Sequence, residues 1–241
     1  MAGDQDNSGR GWPQLALDFR WDEAADMAAY VPGANGEPVA AIRRAVVEPS
    51  QSIHLHGARG TGKSHLLQAA CGLATDAATT AVYLPIDQMR DWSAEVLDGL
   101  ENIRVVAVDD VDVIAGQQRW EEALFHLFNR LRDTGGVMLT AASAPPHEIG
   151  LSLPDLASRL QWGLVYRLRP LDDEGRAEAL RRRATRRGLA LPPESARYLL
   201  SRYPRDTRAL LALLEELDVA SLQAGRRLTV PFIREVLGSG R

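Results

Sequence analysis

The eight residues GARGTGKS, positions 57–64, constrain this chain more than any other stretch. They follow a short run, SIHLH (52–56), that reads as a strand, and they open KSHLLQAACGLA (63–74), which reads as a helix. The pattern is G-x-x-x-x-G-K-[ST]. Its glycines at 57, 60 and 62 let the backbone curl with its N–H groups turned inward, which makes a cradle for phosphate. Lys63 has the reach to meet β- and γ-phosphates, Ser64 offers a hydroxyl to Mg²⁺, and the helix presents its positive N-terminus to the same anion. A Gly-rich turn with a surface lysine is the plainer alternative. The strand before and the helix after are the context that the phosphate-binding motif demands.

The rest of the chain alternates in the same way. VPGANGEP (31–38) punctuates a connecting region, and PVAAIRRAVV (38–47) reads as a helix with Pro38 tolerated in its first turn. Gly72 is read as a mark of the last turn of the helix after the phosphate loop. AVYLP (81–85), IRVVAVDD (103–110), VMLTAA (137–142) and LVYRL (164–168) read as strands. The second of these is apolar almost to its end, as a parallel strand covered on both faces should be. QQRWEEALFHLFNRLRDTGG (117–136) is the clearest helix, with Trp120, Leu124, Leu127, Phe128 and Leu131 on one face and a Gly pair to stop it. LPDLASRLQWG (153–163) reads as a short helix opened by proline. Strands alternating with helices predict a doubly wound α/β fold with a five-stranded parallel sheet. After Pro170 only helical patterns remain, at 172–188, 192–203, 206–225 and 229–238. The expected layout is a tail over 1–22, a nucleotide-binding core over 23–169 and a small all-helical lid over 170–241.

Composition narrows the function. The 241 residues are 45% hydrophobic and 25% charged, with a formal net charge of -4. A protein that lives on the DNA backbone usually carries a basic excess; this chain has none overall, which agrees with an expected lack of direct sequence-specific DNA binding. The single cysteine, Cys71, forbids an internal disulfide and is expected to pack within its helix. No run approaches a membrane span and the N-terminus lacks the pattern of a signal peptide, so a cytoplasmic protein is expected. His54, His56, His65, His126 and His147 share no spacing that suggests a metal site.

Asp109 and Asp110 end an apolar strand, where a parallel sheet displays its ligands. Beside a phosphate-binding loop, Asp109 suits the Mg²⁺-holding aspartate, and Asp110 stands where many P-loop ATPases place a glutamate as general base. Aspartate is one methylene shorter, so water activation is expected to be weak. Two solvated acids at a strand end are the bland reading. RRRATRR (181–187) is the one dense basic run. Its charges spread around a helix, which favours a solvated surface over a nucleic-acid or protein contact.

Phosphate loop, second strand, acidic strand, long helix, fourth strand and helical lid, in that order, resemble the AAA+ ATPases. GKSHLLQAAC, EVLDGLENIRVVAVDDVDVIAG, LPDLASRLQWG and LTVPFIREVL narrow the resemblance to the DnaA initiator clade, and within it to Hda-type regulatory inactivators of DnaA. The resemblance runs from about residue 14 to 237. It implies a site for ADP or ATP with Mg²⁺ built by Gly57, Gly60, Thr61, Gly62, Lys63, Ser64, His65 and Asp109. It also implies an arginine finger, Arg159, that reaches the nucleotide of a neighbouring subunit. A cation near the end of a short helix is explained about as well by the helix dipole; the flanking match favours the finger. Arg208 matches the sensor 2 position, with an ordinary surface arginine beside Asp206 as the alternative. Thr140 is a candidate sensor 1, but the Asp-Arg pair of relatives is replaced by Ala142 and Ser143, which puts that pair's role in doubt.

Gln14, Leu15, Leu17 and Phe19 stand in an otherwise polar N-terminal stretch. On composition alone they read as an edge strand or a staple on their own domain. The resemblance reads Gln-Leu-x-Leu-x-Phe as a peptide that docks on the DNA polymerase III β sliding clamp. The same resemblance implies DnaA as a partner and self-association into a homo-oligomer. The chain ends shortly after FIREVL, so the helix-turn-helix domain that lets DnaA read origin DNA is not expected. The function implied is negative regulation of replication initiation, by stimulating hydrolysis of DnaA-bound ATP, with weak turnover of its own nucleotide. A self-sufficient AAA+ ATPase such as a helicase loader is the alternative. A small-molecule P-loop kinase fits poorly with a helical lid bearing Arg208 and with the lack of any legible acceptor pocket.

Overall fold

Val105, Val106, Ala107 and Val108 put apolar side chains on both faces of their strand, and the chain answers by covering both. The computed structural model describes residues 25–48, 51–203 and 207–238. Five parallel strands, β1 (Ile53–His56), β2 (Ala81–Pro85), β3 (Val105–Asp109), β4 (Val137–Ala142) and β5 (Leu164–Arg167), form one sheet in the order β2-β3-β4-β1-β5. Period-two alternation sorts their side chains. Ile53, Leu55, Val105, Ala107, Leu139 and Ala141 pack against α1 (Gly36–Val47) and α2 (Lys63–Asp76). Val106, Val108 and Met138 pack on the other side against α3 (Gln118–Thr134) and α4 (Pro154–Trp162).

The apolar stripe of α3 is buried as its periodicity predicts. Trp120, Leu124, Leu127, Phe128 and Leu131 all lie in the core, each burial stabilising by roughly 1.5–3 kcal/mol. The helix stops at Gly135. α2 runs past Gly72 to Asp76. Gly72 is therefore a mid-helix residue, and the extra turn buries Ala74. Between β2 and β3 the chain makes three short 3-10 turns, at Ile86–Met89, Ala94–Leu97 and Leu100–Asn102. Their apolar residues Met89 and Leu97 cap the α3 side of the core. Sequence periodicity gave no sign of them, because a single 3-10 turn is shorter than one repeat of an amphipathic pattern.

α5 (Asp173–Arg186), α6 (Pro193–Arg202), α7 (Thr207–Ala224) and α8 (Val230–Gly238) surround a separate apolar core that includes Leu180, Leu199, Leu214, Phe232 and Ile233. The Asp172 carboxylate caps α5 by accepting the Gly175 N–H at 2.7 Å. The basic run on this helix is not simply a solvated face. Arg182 donates to the carbonyls of Ala28 and Tyr30, both at 3.0 Å, and Arg186 pairs with Asp26. Arg187 turns the other way, to Glu215 at 2.9 Å. The arginines thus brace the C-terminal helices against residues 26–30 and against one another. Asn35, buried, exchanges two hydrogen bonds with the backbone of Arg169 and so ties the start of α1 to the chain leaving β5.

Glu121 is a charged residue that the sequence pattern places on a helix but not in a core. It is fully buried, and its carboxylate accepts the backbone N–H groups of Gly116 (2.7 Å), Ser152 (3.1 Å) and Leu153 (2.7 Å). Leu153 is the residue that caps α4, so Glu121 sets where α4 begins. Glu121→Ala would leave three amide donors without their acceptor. The expected loss is about 3–5 kcal/mol of unfolding free energy, measured by urea denaturation.

Candidate functional site

All five strands run the same way, so β1 and β3 deliver their C-terminal ends to one edge of the sheet. β1 runs into the glycine-rich loop. Gly57 has φ +145 and a Cβ there would lie 2.7 Å from the Leu168 carbonyl oxygen. Gly62 has φ +92 and a Cβ would lie 2.8 Å from the Tyr30 ring. Both positions therefore demand glycine, for backbone angle and for space. Gly62 is also the N-cap of α2 and makes no side-chain cap, which leaves the first amides of the helix available to an anion.

The loop coils around its own lysine. Lys63 Nζ donates to the carbonyls of Gly57 at 2.7 Å and Ala58 at 3.2 Å. The Thr61 hydroxyl also donates to Ala58 O, at 2.9 Å, so this buried threonine holds the loop's shape. Gly60 completes the curl at φ +82, and Ser64 is exposed at the start of α2. His65 Nε2 meets the Asp26 carbonyl at 3.0 Å and its ring lies 5.5 Å from that of Tyr30. His65 thus joins the loop to the segment that the α5 arginines grip. Tyr30, which no sequence motif marked, covers Gly62 and has its hydroxyl pushed up to about 12 by burial.

Asp109 is buried at the end of β3, on the α2 face of the sheet that Val105 and Ala107 also share. Its Oδ2 accepts from the Tyr83 hydroxyl at 2.8 Å and its Oδ1 from the Asp110 N–H at 3.0 Å. Asp110 follows in the left-handed region, φ 55 and ψ 46, a conformation that aspartate tolerates better than most residues. Its carboxyl is pushed up to about 6, chiefly by burial and then by Asp109, Asp112 and Asp87, with Lys63 acting in the opposite direction. The loop lysine and the acidic strand end therefore lie within one another's field.

These residues fit a nucleotide with Mg²⁺. Three positive-φ glycines and an uncapped helix start suit phosphate. The crowded carboxylates that raise Asp110 form a surplus of negative charge that a divalent cation would relieve. Among the described residues no group of three or more His, Cys, Asp or Glu could hold a metal by itself. Mg²⁺ commonly takes one or two protein ligands together with phosphate oxygens, and Ser64 and Asp109 would be those ligands.

Thr140, the candidate sensor 1, lies on β4. It is buried, in register with His54 of β1. His54 Nδ1 and Thr140 Oγ1 are 2.8 Å apart, and His54 Nε2 is 3.3 Å from the Ala144 carbonyl. A neutral ring with its proton on Nε2 satisfies both contacts, and burial holds its pKa down to about 4. Ser143, in the altered segment, also reaches the acidic cluster: its hydroxyl donates to Asp112 Oδ2 at 2.6 Å.

Arg159 sits in the last turn of α4. Its guanidinium lies 4.8 Å from the Trp162 ring centre and 5.8 Å from that of Phe125; its Nε is buried without a hydrogen-bond partner, and it has no carboxylate partner among the described residues. Trp162 is 60% exposed. Ring faces hold a cation without consuming its N–H donors. Gln14, Leu15, Leu17 and Phe19 lie outside the described residues, as does the side chain of Arg208 in α7.

The Asp110 environment gives a pH signature. A carboxyl raised in the fold from 3.8 to about 6 makes no difference to stability where both states are protonated, below about pH 4. Its penalty grows as pH rises through that window and is complete above about pH 6. Asp110→Asn is expected to raise the melting temperature by a few degrees at pH 7.5 and to leave it unchanged at pH 3.5, read by thermal unfolding in EDTA.

Residues 22–167 match the family described as the bacterial DnaA ATPase domain, and residues 173–237 match the family described as the Hda lid domain. Among solved structures, domain III of the Thermotoga maritima replication initiation protein DnaA superposes with a TM-score of 0.74 at 22% identity, covering 92% of this chain and 98% of that one. AMPPCP-bound DnaA from Aquifex aeolicus gives a TM-score of 0.66 at 23% identity, covering 82% of this chain and 67% of that one. The Thermotoga maritima RuvB Holliday junction branch migration motor gives 0.63 at 16%, covering 83% and 66%. At these identities the structural likenesses establish the fold: a five-stranded AAA+ core. The first family match spans more than half of the chain, and with the lid match behind it the chain belongs to the bacterial DnaA ATPase-domain family, as an Hda-like, DnaA-related AAA+ regulator.

Proposed function

We propose that this chain is a negative regulator of chromosomal replication initiation that, together with the DNA-loaded sliding clamp, stimulates hydrolysis of DnaA-bound ATP. The observation that carries the reading is Arg159, a guanidinium held by two aromatic faces and left without a carboxylate among the described residues. Its Nε is buried without a hydrogen-bond partner, and its terminal N–H donors are left for an anion supplied from outside the chain. In a shared interface that anion is the γ-phosphate of DnaA-bound ATP, and Arg159 is the finger that neutralises its developing charge. The Hda-type lid match supports DnaA as the partner.

The chain's own site holds ADP or ATP with Mg²⁺. Gly57, Gly60, Gly62 and the α2 amides receive the phosphates. Lys63 exchanges its loop carbonyls for phosphate oxygens, while Thr61 and His65 keep the loop in shape. Ser64 and Asp109 face the metal, which neutralises phosphate charge when bound. Arg208 reads the nucleotide from the lid. Asp110 is the group available to orient water, and its short side chain makes intrinsic turnover slow. Thr140 acts from behind, through His54 and the turn at Ala144. Nucleotide occupancy in this chain thus serves chiefly to set the lid against the core, and the chemistry takes place at DnaA. The relative solved with AMPPCP supports nucleotide in such a site.

Clamp contact falls to Gln14, Leu15, Leu17 and Phe19. Three apolar anchors entering pockets yield roughly 1.5–3 kcal/mol each before the peptide's ordering cost, and the Gln14 amide fixes orientation. A soluble homo-oligomer is expected, with neither sequence-specific DNA binding nor a membrane anchor. Among the described residues no helix is long and apolar enough to cross a membrane.

Arg159→Ala is expected to reduce clamp-dependent hydrolysis of DnaA-bound ATP by on the order of 10³-fold, measured as the ratio of ADP to ATP on DnaA. Unchanged stimulation removes the finger assignment, and brisk ATP turnover by this chain alone, without effect on DnaA, would favour a self-sufficient ATPase. Gln14→Ala with Leu17→Ala is expected to abolish binding to immobilised clamp and to leave nucleotide binding intact.

A further inference from the structure

The candidate Mg²⁺ aspartate is held by a neighbour that no motif marks. Tyr83 lies on β2, two residues before Pro85, the register partner of Asp109. Residues two apart on a strand share a face, so the phenol and the carboxylate lie on the same side of the sheet, next to α2. The Tyr83 hydroxyl donates to Asp109 Oδ2 at 2.8 Å in a buried contact. The other oxygen takes the Asp110 N–H. Each carboxylate oxygen has two lone pairs, so Asp109 is oriented by these two donors while keeping capacity for a cation.

The phenol is itself anchored. Gln68 of α2 hydrogen-bonds the Tyr83 side chain. Gln68 is four residues beyond Ser64 and shares a face of α2 with it. A continuous path therefore runs from the helix that carries Ser64, through Gln68 and Tyr83, to Asp109. It joins the two protein groups that face the metal from different elements, across helix and sheet.

We propose that Tyr83, anchored by Gln68, is the positioning residue that aims the Asp109 carboxylate at the Mg²⁺ accompanying a bound nucleotide. The proposal rests on the reading of Ser64 and Asp109 as the metal-facing pair. Without the phenol hydroxyl, Asp109 keeps only the Asp110 N–H of this pair of donors and is free to rotate. A tyrosine serving only as a packed core residue makes a different prediction. Its loss would weaken nucleotide binding equally with and without Mg²⁺.

The test uses the full chain and a fluorescent mant-ADP probe, with affinity measured in EDTA and across a Mg²⁺ titration. Tyr83→Phe is expected to keep the EDTA affinity and to raise the half-saturating Mg²⁺ concentration about tenfold, as loss of a hydrogen-bond partner behind a metal ligand commonly does. Gln68→Leu is expected to shift it in the same direction by less, and Asp109→Asn to remove the Mg²⁺ dependence. Native Mg²⁺ dependence in Tyr83→Phe, beside its loss in Asp109→Asn, would overturn the role of Tyr83 and leave the metal site standing. Native dependence in Asp109→Asn would overturn the metal reading and the proposal with it. Should Tyr83→Phe not fold, Gln68→Leu decides, and an unshifted Mg²⁺ titration there overturns the proposal.

Discussion

Everything at the site depends on five strands running parallel in the order β2-β3-β4-β1-β5. Parallel strands end at one edge, so the loop after β1 and the acids after β3 are forced to the same side of the molecule. The order also inserts β4 between them. Its turn is consequently the piece of chain that spans the gap, and the hydrogen bonds go where that geometry sends them. His54 of β1 reaches the Ala144 carbonyl, and Ser143 reaches Asp112 just beyond β3. The segment that follows β4 is thus built into the acidic cluster.

A second dependence links the phosphate loop to the C-terminal helices. Residues 26–30 touch α2 through His65 and Tyr30, and they receive Arg182 and Arg186 from α5. Arg43 of α1 adds a hydrogen bond to the Met27 carbonyl at 3.1 Å. A change at the loop therefore has a short mechanical route to the lid. Main-chain carbonyls make stiff acceptors, since they cannot change rotamer as a carboxylate can. The Arg182 contacts hold a position, whereas exposed ion pairs elsewhere on α5, such as Arg181 with Glu178, contribute little to stability.

Two ways of keeping a charge inside a protein appear side by side. Glu121 satisfies three amides and is structural. Arg159 rests on rings, with its Nε buried and no carboxylate beside it among the described residues. The first fixes the start of α4 and the second sits at its end, so a buried carboxylate sets the position of the helix that carries Arg159.

The chain's own periodicities determined the elements. Every strand and every α-helix from α1 to α8 was legible, because two- and 3.6-residue repeats and Gly or Pro stops are local properties. So were the glycine-rich loop between β1 and α2 and the place of Asp109 at the end of β3, whose spacing is local as well. Tertiary structure alone decided what lies opposite what. That Tyr83 would hold Asp109, that Tyr30 would cover Gly62, that Thr140 would turn to His54, and that a basic run would grip residues 26–30 all depend on residues far apart in sequence. No local pattern encodes such a pairing, since hydrogen-bond partners are chosen by strand order and helix packing. Glu121 makes the point most sharply: its sequence context is that of a helix surface, and only the arrival of residues 152 and 153 makes its burial favourable.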